Sequence, residues 1–163
     1  MKKIIFFAVA VLFAVSAVNA QEFKKGDWAV NAGISINDTD PLTFGGSIEY
    51  GIVDNLFKLN GLTLGVGAEV GYASKSVSGV TVSASAVGIR IPFHYSPISK
   101  LDLYTAPALL FATASVAGFS ANTTDFGWTI IGARYFFTPN IGVFAELGSN
   151  NALGMAVGVS FKF

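Results

Sequence analysis

ALGMAVGVSFKF, residues 152–163, alternates large apolar side chains with small or polar ones. The large positions are Leu153, Met155, Val157, Val159, Phe161 and Phe163. Because successive side chains of a β-strand point to opposite faces, this pattern predicts a strand with one apolar face and one small or polar face. Such a strand suits a wall that separates lipid from a narrow interior.

Seven earlier segments repeat this alternation, at residues 28–36, 43–52, 62–73, 81–95, 101–115, 125–137 and 141–148. The chain is 52% hydrophobic with a mean hydropathy of +0.58, yet its apolar residues are spread over short alternating runs. The pattern predicts an all-β fold, an eight-stranded antiparallel up-and-down transmembrane β-barrel. The alternative is a soluble exported barrel with a ligand inside, which would carry its apolar residues inward.

Residues 1–20 have the pattern of a cleaved signal peptide, with Lys2 and Lys3 before an apolar run and small residues before Gln21. A transmembrane anchor helix is the alternative, but the apolar run is shorter than the roughly 20 residues that a spanning helix needs. The barrel domain is then 21–163. Without Lys2 and Lys3 it has 8 basic residues (10 − 2) and 10 acidic ones, so a nucleic-acid partner is not expected.

The charged residues in the middle of the predicted strands fall on the face opposite the large apolar residues. They are Glu49, Glu69, Arg90, Arg134 and Glu146. An eight-stranded barrel is just wide enough for side chains to fill it, so these groups should meet as an ionic network in the lumen. Arg134 and Glu146, which flank the turn at 138–140, are the first expected pair. The network either fills the barrel as a polar core or forms a gate or ion path.

One segment and two prolines complicate the assignment of inward and outward faces. Segment 125–137 is apolar on both faces, and the requirement that Arg134 face inward places Trp128 and Ile130 inside and Thr129 outside. Pro92 and Pro107 lie within predicted strands, where each removes a hydrogen bond of the ladder. A bulge or local distortion is expected at both prolines.

Aromatic residues near the strand ends predict a girdle at the membrane interface, comprising Trp28, Tyr50, Tyr95 and Tyr135.

His94 is the one histidine and cysteine is absent, so no transition-metal site can be assembled. His94 is expected to be structural rather than catalytic. The sequence predicts no catalytic, cofactor or metal site, and the protein is not expected to be an enzyme.

The connections at 37–42, 74–80, 117–124 and 149–151 are expected to be extracellular, because an even number of strands places both termini in the periplasm. They are hardly longer than the periplasmic turns. Short loops leave little room for a plug or a large binding surface.

The chain resembles the small eight-stranded outer-membrane barrels of the OmpA/OmpX type over residues 21–163. The resemblance implies an outer-membrane location in a Gram-negative bacterium and the lipid bilayer as partner. It also implies that Val159, Phe161 and Phe163 form the signal read by the barrel-assembly machinery. A monomer is expected.

Two functions remain open from the sequence. The first is a structural or surface-interaction role with a side-chain-filled lumen. The second is a porin-like small pore or hydrophobic-molecule conduit, gated by the Glu/Arg network. A lipid-modifying enzyme is disfavoured because no catalytic triad can be assembled.

Overall fold

The computed structural model describes residues 23–36, 42–149 and 151–163, so the predicted signal peptide lies outside the described residues. The strands are β1 (Trp28–Ser35), β2 (Thr43–Val53), β3 (Leu62–Val77), β4 (Val80–Arg90), β5 (Phe93–Ile98), β6 (Leu101–Val116), β7 (Phe119–Phe136), β8 (Ile141–Ser149) and β9 (Met155–Lys162). A single 3-10 turn, Leu56–Lys58, precedes β3. Among the described residues, no helix has the length and apolar character needed to cross a membrane.

The sheet closes on itself. Apart from β4 and β5, each strand pairs antiparallel with its neighbours in the chain, and β1 pairs with β9. Strands β4 and β5 both lie between β3 and β6 and together fill one position in the wall. The predicted eight-stranded up-and-down barrel is therefore confirmed. Closure pairs the edges that an open sheet would leave exposed.

The barrel is apolar outside and polar inside, as the alternation predicts. Val87 and Ile89 on the outer surface are 54% and 58% exposed, whereas Arg90 beside them is 1% exposed. We call the end that holds Trp28 and Phe163 the terminal end, and the opposite end the hairpin end. Trp28 and Phe163 exchange backbone hydrogen bonds at the terminal end.

Strand β7 contains a bulge that the sequence pattern does not reveal. Its pairing with β8 shifts between Thr129 and Ile131, so that Ile130 and Ile131 both point outward. The prediction that Trp128 and Ile130 face inward is wrong, because both are about half exposed on the outer surface. Thr129, predicted outside, is fully buried in the lumen. The extra residue keeps Arg134 inside while it reverses the faces of the strand beyond it.

The last strand begins later than predicted, at Met155 rather than Ala152. Leu153 was expected on the outer face with Val157, but it is buried in the lumen against Phe144 and Ala156. Gly154 has φ +69°, a left-handed conformation that interrupts the alternation between Leu153 and the strand.

The distortion expected at Pro92 is present, since the wall strand is interrupted between β4 and β5 at this point. Across the gap, the Ile91 amide donates to the Pro107 carbonyl at 3.0 Å. Strand β6 runs through Pro107 without a break, and its register irregularity lies earlier, between Tyr104 and Ala106. The distortion predicted at Pro107 itself is therefore wrong.

Four strands rise beyond the rest of the wall at the hairpin end. Strand β2 first pairs with β3 at Ala73, and β8 last pairs with β7 at Trp128, whereas β3, β4, β6 and β7 continue past these points. We call residues 73–85 and 112–124 the protruding sheet. The loops predicted at 74–80 and 117–124 are therefore wrong, since most of these residues are strand.

Two-residue turns explain these long hairpins. Ser78 and Gly79 have φ of 52° and 82°, and Ala117 and Gly118 have φ of 50° and 87°. Positive φ at both central residues matches the type I′ turn, whose twist fits the twist of the flanking strands. The predicted connections at 37–42 and 149–151 lie partly outside the described residues.

Candidate functional sites in the lumen and the protruding sheet

The five charged residues predicted inside are all buried in the lumen. Arg90 lies among three of the carboxylates. Its Nε is 3.2 Å from Oε1 of Glu49, its Nη1 is 3.3 Å from Oε2 of Glu69, and its Nη2 is 3.3 Å from Oε1 of Glu146. One guanidinium thus joins strands β2, β3 and β8 across the barrel.

Arg134 forms the second centre of the network. It pairs with Glu49, and its Nη1 is 2.9 Å from Oδ2 of Asp102. Its Nε donates to Oδ1 of Asn31 at 3.1 Å. The expected pairing of Arg134 with Glu146 is wrong, because Glu146 accepts from Arg90 instead. Glu146 lies opposite Gly132 in the β7–β8 ladder, whereas Asp102 lies directly opposite Arg134 in the β6–β7 ladder. Arg134 therefore pairs with Asp102 along the wall and with Glu49 across the lumen.

Three further lumen residues join the network although the sequence analysis did not include them. Nδ1 of His94 lies 3.0 Å from Asp102 and its Nε2 lies 3.6 Å from Glu49. The hydroxyl of Tyr104 donates to Glu146 at 2.6 Å, and the Arg134 guanidinium lies 4.2 Å from the Tyr104 ring centre. Asp102 and Tyr104 occupy predicted inward positions, so the alternation itself was the signal that could have found them.

Phe23 covers this network at the terminal end. Its ring lies 4.0 Å from the His94 ring, and the side chain is 2% exposed. The hydroxyl of Thr63 donates to the Phe23 carbonyl at 3.2 Å. The sequence analysis missed Phe23 because it precedes the first strand and belongs to no alternating segment.

Backbone hydrogen bonds hold the residues after Phe23 against the wall. The Lys25 amide donates to Asp54 at 2.6 Å, and the Lys24 amide donates to Asp27 at 3.1 Å. The Gly26 amide also donates a hydrogen bond to the Gly51 carbonyl. Burial raises the pKa of the Asp27 carboxyl, since desolvation outweighs the Lys24 hydrogen bond.

The lumen contains little free space between the charged groups. A cavity of about 10 Å³ is bounded by Asn31, Glu69, Arg90, Glu146 and Leu153. Such a volume holds about one water molecule. Within the described part of the chain, no cluster of three or more potential metal ligands is placed to bind a metal ion.

The outer face of the protruding sheet is polar, unlike the outer surface of the barrel below it. The last apolar cross-strand positions are Val70, Val87 and Phe111, and the next positions on the same strands are Tyr72, Ser85 and Thr113. Hydroxyl and amide groups then pair across the strands. Ser115 bonds Ser120 at 2.7 Å, and Thr113 donates to Asn122 at 2.8 Å.

The inner face of the protruding sheet, which continues the lumen lining, is apolar in its upper rows, whereas Thr123 and Asp125 point inward lower on β7. One cross-strand row consists of four alanines, Ala73, Ala84, Ala114 and Ala121. The row above it contains Val82, Val116 and Phe119 together with Lys75. Phe119 is 83% exposed. The polarity of the two faces is therefore the reverse of that in the barrel.

Strand β7 has an open edge in the protruding sheet. Among the described residues, 119–127 have no partner strand on the side of β8. Val116 and Phe119 close a two-residue hairpin and so form a hydrogen-bonded pair, which leaves the backbone groups of Ser120, Asn122 and Thr124 directed away from β6. The next outward amide, that of Phe126, donates to Oδ1 of Asp125 at 2.8 Å.

The family comparison agrees with this architecture. The model of the outer membrane protein beta-barrel domain matches residues 5–163. The chain belongs to this family. No curated protein matches it. The protein is therefore a β-barrel of the outer membrane of a Gram-negative bacterium, embedded in the lipid bilayer.

Solved structures share the fold. The chain is similar to the N-terminal β-barrel domain of Pseudomonas aeruginosa OprF, with a TM-score of 0.59 and 20% identity over 85% of this chain and 98% of that chain. It is also similar to Ail, the attachment invasion locus protein of Yersinia pestis, with a TM-score of 0.56 and 13% identity over 85% and 99% of the two chains. Ail in complex with the heparin analogue sucrose octasulfate gives a TM-score of 0.55 and 11% identity over 85% and 99%. At these identities the likeness shows the fold alone.

The aromatic residues predicted as a girdle lie around the terminal end of this membrane barrel. Trp28 is cross-strand to Tyr50, with ring centres 4.8 Å apart. Tyr95 and Tyr135 both pair with the terminal-end half of β6. On β9, three aromatic or branched residues point outward, Val159, Phe161 and Phe163. They are accessible to lipid, and their recognition by the assembly machinery stays a prediction.

Proposed function

We propose that this protein is a surface-interaction barrel, with a lumen closed by its own side chains and a protruding sheet that pairs with an extended segment of an external protein. The observation that carries the proposal is the open edge of β7 at 119–127. An exposed edge with unpaired backbone groups is a template for an added strand. In this proposal the hairpin end faces the outside of the cell.

The sequence of the edge supports this role. Natural proteins usually block exposed edges with lysine, proline or inward-pointing charges. Residues 119–127 read FSANTTDFG, without lysine or proline and with Asp125 as the one charged residue. Asp125 lies opposite the inward-facing Leu110 and so is an inward-pointing charge near the barrel end of the edge. Residues 119–124 contain no charge and no proline, so this part of the edge has little protection against pairing with another strand.

An anionic polysaccharide fits this surface less well than a polypeptide. The heparin analogue in the Ail complex carries negative charge, and its recognition needs basic groups. The protruding sheet contains a single basic residue, Lys75. Backbone pairing requires no such charge.

The test of edge pairing uses the refolded protein in lipid nanodiscs and a synthetic peptide of about nine residues that alternates valine and threonine. We expect the peptide to protect the Ser120, Asn122 and Thr124 amides from hydrogen exchange. A peptide with every backbone amide N-methylated should give no protection, because it has no N–H group to donate to the edge. Equal protection by both peptides, or none by either, would contradict the proposal.

Two matched proline variants, one at each edge of the protruding sheet, test whether the peptide binds at the β7 edge. Asn122→Pro removes an outward-directed amide from the β7 edge, where proline is tolerated because no ladder bond is lost. Ser76→Pro makes the same change on the far edge, in β3. We expect Asn122→Pro to abolish peptide binding and Ser76→Pro to retain it, with both proteins folded by heat-modifiable gel migration.

The second candidate function is a small pore gated by the lumen network. It is favoured by the charge of that network, in which four buried carboxylates, Glu49, Glu69, Asp102 and Glu146, face two guanidiniums. Single-channel recording of the inserted protein separates the two functions. Steady openings that change in Glu146→Ala would support the pore, and silence from inserted protein would support the closed lumen. We include no catalytic step in either function.

Assembly and processing complete the proposal. Cleavage after residue 20, recognition of the last strand by the barrel-assembly machinery, and a monomeric state all belong to it. Deletion of Phe163 should slow assembly in cells more than it lowers the stability of refolded protein, because the side chain is 72% exposed and the deletion removes only the backbone hydrogen bonds to Trp28. Pulse–chase assays of barrel assembly measure this, and unchanged assembly rates would contradict the role of Phe163.

A further inference from the structure

We infer that the segment recognised by the β7 edge is itself two-faced, with apolar side chains on the inner face and small polar side chains on the outer face. The inference rests on the proposed function and specifies the partner of the same site. It follows from the polarity of the protruding sheet rather than from its backbone.

An added strand continues the cross-strand rows of the sheet that it joins. On an antiparallel pair, residues directly opposite each other have side chains on the same face, with Cβ atoms about 5 Å apart. A residue paired with Ala121 would therefore extend the row of Ala73, Ala84, Ala114 and Ala121. A residue paired with Phe119 would extend the row that contains Val82 and Val116.

The inner rows at Phe119 and Ala121 favour apolar side chains in the partner. Phe119 and Val116 are exposed, and the alanine row below them leaves a shallow strip without large side chains. Apolar residues from an added strand would cover Phe119 and fill part of this strip. A polar or charged residue there would lose hydration without gaining a hydrogen bond.

The outer rows favour the opposite chemistry. Ser120 and Asn122 already bond Ser115 and Thr113 across the β6–β7 ladder. A partner residue next to them on the outer face meets hydroxyl and amide groups and remains in water. Small polar side chains such as threonine continue this set of cross-strand hydrogen bonds.

Strand addition through backbone hydrogen bonds does not by itself require a partner segment with one apolar face and one polar face. Backbone pairing at a sheet edge is indifferent to side chains, and alternate side chains supply the specificity. A sheet with two polar faces would accept a polar strand in either register. Here the two faces differ, so one orientation of an alternating strand is favoured over the other and over a strand without alternation.

Two peptides of identical composition test the inference on the protein in nanodiscs. One alternates valine and threonine, and the other has the same residues in two blocks. We expect the alternating peptide to bind at least about tenfold more tightly, as measured by fluorescence anisotropy.

Two neighbouring variants test which face of the sheet is responsible for the preference for the alternating peptide. Ala121→Asp, on the inner face, should weaken the alternating peptide by about tenfold or more, and Asn122→Asp, on the outer face, by less than about twofold.

The outcomes distinguish this inference from the proposed function. If both peptides bind equally and N-methylation abolishes both, edge pairing stands and the two-faced partner is overturned. If neither peptide binds, the proposed function fails, and the inference fails with it. If the N-methylated alternating peptide binds as well as its parent, the inner face binds apolar groups without strand addition, which overturns both.

Discussion

Strands β3, β4, β6 and β7 belong to the barrel wall and continue into the protruding sheet, yet the polarity of the two regions is opposite. Below the level of Val87 and Phe111, the outer face is apolar and the inner face carries Arg90. Above it, the outer face carries serine and threonine, and the inner face carries alanine and valine. The side-chain period of two continues through both regions, so the change lies in the surroundings. Lipid covers the outer face of the wall, and water surrounds the sheet above it.

The comparison explains how a chain with short turns forms an extended surface above the barrel wall. Type I′ turns at Ser78–Gly79 and Ala117–Gly118 let the strands themselves extend beyond the membrane. The external surface is therefore regular, hydrogen-bonded sheet rather than loop. Its stability should depend little on the lumen network that holds the barrel.

The largest effect is expected from breaking the lumen network. Arg134→Met leaves Glu49 and Asp102 without their shared cation and should lower the free energy of unfolding by about 3–5 kcal/mol. The control is Lys75→Met in the protruding sheet, where the lysine is partly exposed and the loss should stay below about 1 kcal/mol. Urea unfolding in lipid vesicles, followed by tryptophan fluorescence, measures both. Equal losses would contradict the separation of the two regions.

Replacing phenylalanine by alanine at Phe23 and at Phe119 compares the same substitution at the terminal end and at the hairpin end of the molecule. Phe23→Ala removes a buried ring that packs on His94 and should cost about 3 kcal/mol. Phe119→Ala removes an exposed ring and should change the free energy of unfolding by less than about 0.5 kcal/mol. Both values come from the same unfolding assay. A comparable cost at Phe119 would mean that the inner face of the sheet is already covered.

Ile89 and Ser83 lie on the outer face of the same strand, on either side of the polarity change. Ile89→Arg places a guanidinium against lipid and should cost about 2 kcal/mol. Ser83→Arg places it in water and should cost less than about 0.5 kcal/mol. Folding yield into vesicles and urea unfolding measure the two variants. If Ser83→Arg is as harmful as Ile89→Arg, the membrane reaches higher than the polarity change indicates.

The smallest effect is expected at the tip of the β6–β7 hairpin. Ala117 has φ of 50°, a conformation that costs a side chain with Cβ roughly 1–2 kcal/mol. Ala117→Gly should relieve this strain and slow the exchange of the amides at 113–122 by a few-fold. Gly118→Ala, at φ 87°, should do the reverse. Identical exchange in the two variants would show that the turn does not control the hairpin.

The sequence predicted most members of the lumen network, but it did not predict which of them form ion pairs with each other. Alternation alone places Glu49, Glu69, Arg90 and Glu146 on one face of their strands. It does not say which groups meet, because arginine side chains are long enough to cross an eight-stranded barrel. Arg134 binds Glu49 across the barrel and Asp102, its cross-strand partner on β6, rather than Glu146, its nearer neighbour along the chain.

The sequence by itself determined the class of fold, the membrane environment and the inward position of most charges, because a period of two and the cost of charge in lipid are local properties. Tertiary structure decided the rest. A bulge at Ile130 reverses the faces of β7, and Gly154 turns Leu153 into the lumen. The heights of neighbouring strands leave the β7 edge open above Trp128. These features depend on which residues lie opposite one another, and alternation within a single strand contains no information about its neighbours.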